Sequence, residues 1–322
     1  VLNADASYAS VDANDGSAPS TAASAALSVG RFVPDAYTVA ASTSGTLATA
    51  NATCLASGQG ATFIGQGFGW ASAPAAVVTA YSAGGTVTRN WSGSLMKLTA
   101  SGVTPTLAVS GASPATLSAS FGAVTVTAGG NGTATLSASM TDRFLLDLAS
   151  GSLAATTPGW AWSLAIADSS EAAVTGNPVV SSTYTQNPVA FNSGGTFYSA
   201  RLTLSAAHGD ARAGVRSTVQ LQRYTTAGWV TMTEDRGCVT VQPANVAVSS
   251  PSGVFSTAGL CAAPLASSAT TQGGRAVLSL PATPGGKPGR LMLQIASSAT
   301  ANSSCNPGLA SLQPLAQPWL LQ

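Results

Sequence analysis

The sequence predicts an all-β protein, built as tandem antiparallel β-sandwiches of the immunoglobulin-like type. Three observations lead to this prediction. Short runs alternate apolar residues with Thr, Ser or Gln, which is the period of a half-buried strand. The 34 glycines and 17 prolines divide these runs at frequent intervals. Helix signals are nearly absent, because Ser, Thr, Gly and Pro interrupt the alanine-rich stretches and compete for the backbone.

The first half of the chain contains two predicted hairpins. One joins residues 75–82 to residues 86–91 through Ala83-Gly84-Gly85. The clearer one joins residues 123–128 to residues 133–139 through Gly129-Gly130-Asn131-Gly132. Glycine and asparagine tolerate the positive φ angles of a tight reversal, so this turn is expected to pair its flanking strands.

Four further strands are predicted in the rest of the chain. Trp160 and Trp162 alternate with small residues and continue to Leu164 and Ile166, so all four point to one side of a single strand. Residues 214–224 place Val215, Val219 and Leu221 on one face and Arg216, Thr218, Gln220 and Gln222 on the other. After this strand, the chain is expected to turn at residues 225–228 and to continue as a strand over residues 229–233. Residues 289–296 form a late strand with Leu291, Leu293 and Ile295 inside.

The length of 322 residues suits two domains of ordinary size. We predict a first β-sandwich over residues 31–150 and a second over residues 151–322, with the boundary within residues 149–158. Residues 1–30 are predicted to be a lead-in or the last strand of a preceding domain. Because the chain begins at Val1 without a signal-peptide pattern, it is expected to be a processed product or an excised piece.

The charge content limits the partners of the protein. Only 7% of the residues are charged, whereas a soluble domain usually carries about 25%. The net charge is +1 and basic residues are scattered singly from Arg31 to Arg290. With no basic stripe to neutralise a run of phosphates, nucleic acid is not expected as a partner. No window has the roughly 20 mainly apolar residues that span a bilayer, so no membrane span is expected.

Four cysteines indicate the compartment. Cys54, Cys238, Cys261 and Cys305 are far apart and lack the close paired spacing of a zinc site. An even number of cysteines in a β protein with few lysines favours structural disulfides and an oxidising compartment such as a periplasm or the cell exterior, and we expect an extracellular or cell-surface location. Three connectivities are possible, and spacing alone does not choose among them.

No residue pattern predicts catalysis, a cofactor or a metal. His208 is the single histidine, and it lies with Asp210 in a predicted turn, where a solvated side chain is the favoured interpretation over a triad. A glycosidase would need a pair of carboxylates, and the candidate pairs are Asp142 with Asp147 and Glu234 with Asp235. Asp142 and Asp147 are more simply explained as partners of Arg143 and solvent. We therefore expect a protein that is not an enzyme.

The tryptophans allow two interpretations. Trp70, Trp91 and Trp229 lie near predicted turns and are candidate stacking residues for sugars. Burial in the core is the favoured alternative for the tryptophans as a group. The two interpretations differ in whether the rings are exposed.

Several segments resemble one family. They are Val-Gly-Arg-Phe-Val-Pro-Asp at 29–35, Phe-Ile-Gly-Gln-Gly-Phe at 63–68, the alternating run at 77–93, the Arg-Leu-x-Leu segment within 197–209, the strand and Trp hairpin ending at Cys238 within 215–239, and Pro-Trp-Leu at 318–320. Together they resemble the domain of unknown function at the C-terminal end of MshQ-like proteins, which accompany MSHA-type (type IV) pili. This chain departs from the pattern at Ala200, which replaces a glycine, and at Arg236-Gly237, which interrupt the acidic-Ser-Cys motif.

The resemblance implies a secreted module without enzymatic activity. It also implies a Cys54–Cys238 disulfide, since the family usually has both equivalents, and leaves Cys261 and Cys305 to pair with each other. The expected function is that of a structural or adhesive module of a pilus-associated surface protein, whose partners are pilus subunits, other surface proteins or copies of itself. The alternatives are a carbohydrate-binding module that contacts glycans and a self-assembling subunit of a surface fibre.

Overall fold

A computed structural model describes residues 33–167, 182–210, 212–242, 245–253, 267–280, 282, 289–295, 300–301 and 311–312. Within these ranges the secondary structure consists of β-strands and two short 3-10 turns, Gly93–Leu95 and Ala100–Gly102. This confirms the all-β prediction. No helix in the described ranges is long and apolar enough to cross a membrane.

The strands are numbered in chain order. Those of the first part are β1 Ala36–Thr43, β2 Thr46–Leu47, β3 Thr62–Phe63, β4 Gly67–Phe68, β5 Trp70–Ser72, β6 Ala75–Tyr81, β7 Val103–Ser110, β8 Thr116–Ser120, β9 Thr125–Ala128, β10 Thr133–Ser137, β11 Arg143–Asp147, β12 Gly159–Ile166, β13 Ser182–Gln186, β14 Ala190–Phe191 and β15 Phe197–Tyr198. Those of the second part are β16 Ala200–Leu204, β17 Val215–Thr225, β18 Gly228–Thr231, β19 Thr240–Val241, β20 Val246–Gly253, β21 Ala269–Thr270, β22 Arg275–Leu280, β23 Gly289–Ile295, β24 Thr300–Ala301 and β25 Ser311–Leu312.

The first part forms small antiparallel sheets. Their strand orders are β1-β6-β10-β9, β4-β11-β8 and β13-β12-β7. Successive side chains of a strand point to opposite faces of the sheet, so one face can be buried. Strand β12 buries Trp160, Trp162, Leu164 and Ile166 on one face, as predicted.

The predicted hairpin at residues 123–139 is confirmed. Strands β9 and β10 pair antiparallel, with Ala128 opposite Ala134. The turn contains Asn131 at φ 57° and Gly132 at φ 79°, the left-handed conformations that Asn and Gly adopt most easily. The other predicted hairpin forms only in part: β6 pairs mainly with β1 and β10, and residues 86–91 contribute a single bridge between Val87 and Tyr81.

Two parallel pairs were not predicted. Strand β14 pairs with β2, and β15 pairs with β3, so residues 190–198 return to lie beside residues 46–63. No local signal marks these contacts, because each strand has two residues and its partner is more than 100 residues away.

An aromatic core fills the first part of the molecule. Phe68 lies at its centre, with ring centroids 5.4 Å from Trp160 and 5.6 Å from both Phe191 and Phe197. The contacts with Trp160 and Phe197 are edge-to-face, and aromatic pairs of this kind stabilise beyond the area that they bury. Trp162 is fully buried and lies 6.2 Å from Trp70.

The second core lies beneath the sheet of β16, β17, β18 and β22. Strand β17 is central, with β16 along one edge and with β18 and β22 also paired to it. Its inward residues Val219 and Leu221 are fully buried, as are Met232 and Leu278. Residues from the first part also enter this core, among them Cys54 and Phe63.

The predicted division into residues 31–150 and 151–322 stays a prediction. Strands on both sides of residue 150 share the first core, since Trp160 packs against Phe68. The predicted lead-in, residues 1–30, lies outside the described residues.

Candidate functional site

The outward face of the second sheet is the candidate site. Residues directly opposite each other on neighbouring strands share a face, and the register of β17 with its neighbours defines a set that we call the polar face. Its members are Arg201, Thr203, Arg216, Thr218, Gln220, Gln222, Tyr224, Trp229, Thr231, Arg275, Val277 and Ser279. The other face of the sheet covers the second core, so the polar face is the one that is available to solvent and ligands.

Arg201 and Trp229 form the centre of this surface. The guanidinium carbon of Arg201 lies 4.4 Å from the centre of the Trp229 ring, which is a cation–π contact. Nε of Arg201 donates a hydrogen bond of 2.9 Å to Oε1 of Gln222. Tyr224 meets the Trp229 ring edge-on, with centroids 5.4 Å apart. These contacts hold the guanidinium group and both rings in a defined arrangement.

The polar face is positively charged. Arg201, Arg216 and Arg275 belong to it, and none of its members is acidic. In the described part of the chain, the side chains of Arg216 and Arg275 have no salt bridge within 4.0 Å. Within the described ranges, an approaching anion would therefore meet cations that no carboxylate has neutralised.

The opposite side of β17 carries an ion pair at its end. Nη1 of Arg223 lies 3.0 Å from Oε1 of Glu234, and both side chains are about a third exposed or less. Arg223 also lies over the Tyr198 ring at 5.9 Å. Burial of the Tyr198 hydroxyl, helped by the negative charge of Glu234, raises its pKa above the ordinary value of 10.0, while Arg223 opposes the shift.

This raised pKa predicts a pH dependence of stability. Above pH 10.0 the unfolded chain ionises Tyr198 before the folded chain does, so the stabilisation that is present below this pH is lost as the pH rises. We expect the free energy of unfolding of the wild type to fall more steeply above about pH 10 than that of Tyr198→Phe, which cannot ionise there. Urea unfolding of both proteins across this range measures the difference. Parallel curves would contradict the assignment.

A buried carboxylate and a disulfide fix the polar face to the rest of the molecule. Oδ1 of Asp235 accepts hydrogen bonds from the backbone N–H groups of Gly237 and Cys238, and Oδ2 accepts one from Gly274. Cys238 is bonded to Cys54, with Cα atoms 4.8 Å apart. The backbone N–H of Arg236 also donates to the carbonyl of Cys54 at 2.6 Å. Residues that lie 184 positions apart in the sequence therefore meet at one corner beside β18 and β22.

The disulfide confirms the pairing that the resemblance implied for Cys54 and Cys238. Cys261 and Cys305, the other predicted pair, lie outside the described residues.

Two of the three candidate sugar-stacking tryptophans lie in the core. Trp70 is 5% exposed and Trp91 is 2% exposed, so neither ring offers a face to a ligand. The Trp70 indole donates from Nε1 to Oδ2 of the buried Asp142 at 2.8 Å, and Trp91 packs against Tyr37. Both belong to the first core although they lie near turns: Trp70 is on β5, whereas Trp91 lies in the segment between β6 and β7. Trp229 is half-buried on the polar face.

The first pair of acidic candidates, Asp142 and Asp147, has structural partners. Asp142 accepts hydrogen bonds from Trp70 and from the backbone N–H of Gly122, whereas Arg143 donates to its backbone carbonyl and not to its carboxylate. This corrects the predicted Asp142–Arg143 side-chain pairing. Asp147 accepts from the N–H of Leu148.

His208 is exposed in the segment between β16 and β17. Its neighbour Asp210 accepts a hydrogen bond from the backbone N–H of Arg212. Within the described ranges, no group of three or more His, Cys, Asp or Glu residues has the geometry to hold a metal ion.

Sequence reasoning missed Arg201 and the glutamines as a site. The alternation of residues 214–224 already placed Gln220 and Gln222 on a common outward face, which was the available signal. Arg201 and Trp229 come from separate strands, and only the pairing of β16 and β18 with β17 brings them together.

Comparison with known proteins identifies one relationship. Residues 4–195 match the family model described as DUF6701, third domain. No curated protein and no solved structure matches the chain. The match covers more than half of the chain and includes strands β1 to β14, whereas β15 and the polar face lie C-terminal to it. The chain therefore belongs to the DUF6701 family.

Proposed function

We propose that the protein is a non-catalytic adhesive and structural module of a secreted surface protein of the MSHA-like, type IV pilus-associated class. The observation that carries this proposal is the polar face, where Arg201, Trp229 and Tyr224 are held together on a continuous sheet. A site on a sheet is positioned more rigidly than one on loops, which suits recognition of a ligand under mechanical load. The link to pilus-associated proteins rests on the resemblance of the sequence motifs.

The disulfide supports the proposed location. Disulfides form and persist in oxidising compartments and are rare in the cytosol. The bond joins Cys54 to Cys238 across 184 residues, so it constrains most of the described chain. A module exposed outside the cell gains resistance to unfolding from such a constraint.

The chemistry of the polar face favours glycans as the adhesive target. Tryptophan and tyrosine offer an apolar ring with a polar end, while glutamine and threonine donate and accept hydrogen bonds in the way that sugar hydroxyls require. Gln220 and Gln222 lie on the same face as Tyr224, within one strand. A flat surface with both kinds of group suits a sugar chain.

A glycan array probed with the purified protein tests this proposal. We expect binding to a defined set of glycans, and we expect Trp229→Ala to weaken it at least about tenfold because the ring and the support of Arg201 are lost together. Leu95→Ala is the matched control, since Leu95 is an exposed apolar residue far from the polar face in sequence. Binding that Trp229→Ala leaves intact would place the adhesive surface elsewhere. An array without binding would contradict adhesion to glycans.

The distribution of charge favours self-assembly as a second candidate. Residues 1–195 contain four basic residues (Lys and Arg) and eight acidic residues (Asp and Glu). Residues 196–322 contain eight basic and three acidic residues. The two parts therefore have opposite net charges, which attract when copies meet head to tail. Light scattering of the same sample distinguishes this candidate, because such assembly grows with protein concentration and dissolves as salt is added.

A further inference from the structure

The terminal nitrogens of Arg201 are available to a ligand. Its Nε is occupied by Gln222 and its guanidinium plane lies over Trp229, but within the described residues Nη1 and Nη2 make no hydrogen bond. A guanidinium group held in this way keeps its paired donors in a fixed geometry. That geometry matches a carboxylate, which accepts two parallel hydrogen bonds.

The surroundings of Arg201 narrow the ligand class further. Arg216 and Arg275 place additional positive charge on the same face, and none of the face members in register with them is acidic. The Gln222 amide accepts from Arg201 and donates to Oε1 of Gln220 at 3.4 Å, which leaves the Gln220 amide nitrogen, without a hydrogen bond among the described residues, to donate to a hydroxyl. The ligand that uses all of these groups carries carboxylates and many hydroxyls on a chain.

We infer that the polar face binds a carboxylate-bearing polysaccharide, with the carboxylate of one sugar on Arg201 and the sugar ring beside Trp229 and Tyr224. This inference rests on the proposed adhesive function and names its ligand. A membrane surface fits less well. Among the described members of the polar face, Val277 is the one large apolar side chain that is exposed, and none of the members is a lysine. Among the described acidic residues of the first part, a second copy of the chain finds little to offer the polar face: Asp142 is buried, Asp35 and Asp147 are only half exposed, and Asp147 is already hydrogen-bonded.

The test measures binding of polygalacturonate, alginate and hyaluronate to the full chain by calorimetry at about 0.05 M NaCl, where charge interactions are screened least. We expect at least one of these carboxylated chains to bind. Its methyl ester, which is neutral and nearly the same shape, is expected to bind about tenfold more weakly or not at all. Raising the salt concentration is expected to weaken binding of the acid form.

Substitutions locate the site. Arg201→Gln is expected to weaken binding about tenfold or more. Arg201→Lys is expected to bind little better than Arg201→Gln, because lysine keeps the charge but loses the paired donors. Arg89→Gln removes the same charge from an exposed position of the first part and should leave binding unchanged. Arg275→Gln, at an exposed position that does not support the fold, is a second variant and is expected to weaken binding severalfold.

The outcomes separate this inference from the proposed function. Equal binding of acid and ester, unchanged binding by Arg201→Gln and Arg275→Gln, or no binding of any carboxylated chain would overturn the inference. Glycan binding that depends on Trp229 but not on charge would leave the adhesive function standing while overturning this ligand class. Binding to vesicles of anionic phospholipid, or assembly of copies in place of polysaccharide binding, would also overturn it.

Discussion

Replacing Cys54 and Cys238 together by alanine is expected to lower the free energy of unfolding by about 5 kcal/mol. The disulfide closes a loop of 184 residues, and the entropy that such a loop removes from the unfolded chain gives about this value in the chain-entropy model. The bond also joins the segment before β3 to the segment before β19. Both cysteines belong to the second core, so loss of the bond removes a covalent link within that core. Urea unfolding of Cys54→Ala/Cys238→Ala beside the wild type measures the change.

The control separates loss of the bond from loss of cysteine side chains. Cys261→Ala/Cys305→Ala removes the other two cysteines and leaves the Cys54–Cys238 bond in place. Alkylation of this control without reduction, followed by mass spectrometry, should show no free thiol. If Cys54→Ala/Cys238→Ala unfolds within about 1 kcal/mol of the wild type, the bond does not constrain the chain as described.

Replacing Asp235 by alanine is expected to lower the free energy of unfolding by about 3–5 kcal/mol. The carboxylate is fully buried and accepts hydrogen bonds from the backbone N–H groups of Gly237, Cys238 and Gly274. Truncation leaves these buried donors without an acceptor, and each unsatisfied donor costs about 1–3 kcal/mol. Thermal or urea unfolding measures the effect.

Asn at position 235 is the matched variant. Its single oxygen replaces Oδ1 and keeps the bonds to Gly237 and Cys238, while its amide group faces the N–H of Gly274, donor against donor. We expect Asp235→Asn to lose less stability than Asp235→Ala and still to be less stable than the wild type. Glu234→Gln, which removes the neighbouring, partly exposed charge that pairs with Arg223, should change stability by about 1 kcal/mol or less. Equal stability of Asp235→Ala and the wild type would contradict the role of this carboxylate.

The two predictions concern the same corner, so their effects should not add. The Asp235 carboxylate accepts a hydrogen bond from the backbone N–H of Cys238 itself. Leu55, next to Cys54, also forms an antiparallel β-bridge with Asp235. Contacting residues usually show interaction energies of about 0.5–3 kcal/mol in double-mutant cycles. Combining Asp235→Ala with loss of the disulfide should therefore cost less than the two losses summed.

Local pattern was sufficient for the strands that carry a strong period of two. Residues 218–222 alternate polar and apolar side chains, and β17 buries Ser217, Val219 and Leu221 with the same period of two. The hairpin of β9 and β10 was also predictable, because Asn131 and Gly132 supply the conformations that its turn needs. In both cases the information lies within a few neighbouring residues.

The positions of the tryptophans show where local pattern fails. Trp70 and Trp229 both follow a glycine near a turn, yet Trp70 is buried against Asp142 and Trp229 lies on the polar face. Burial depends on which side of a sheet meets the core. That side is set by strand pairing with residues far away in sequence.

The sequence by itself determined that this chain is an all-β protein, with its strong strands, its tightest hairpin and the outward row of glutamines on β17. Only the tertiary structure decided that residues 190–198 return in parallel beside residues 46–63, that Asp235 closes the disulfide corner, and that Arg201 stacks on Trp229. The physical reason is range. Alternation and turn chemistry act between near neighbours, whereas these contacts join strands whose pairing is selected by burial of the whole core.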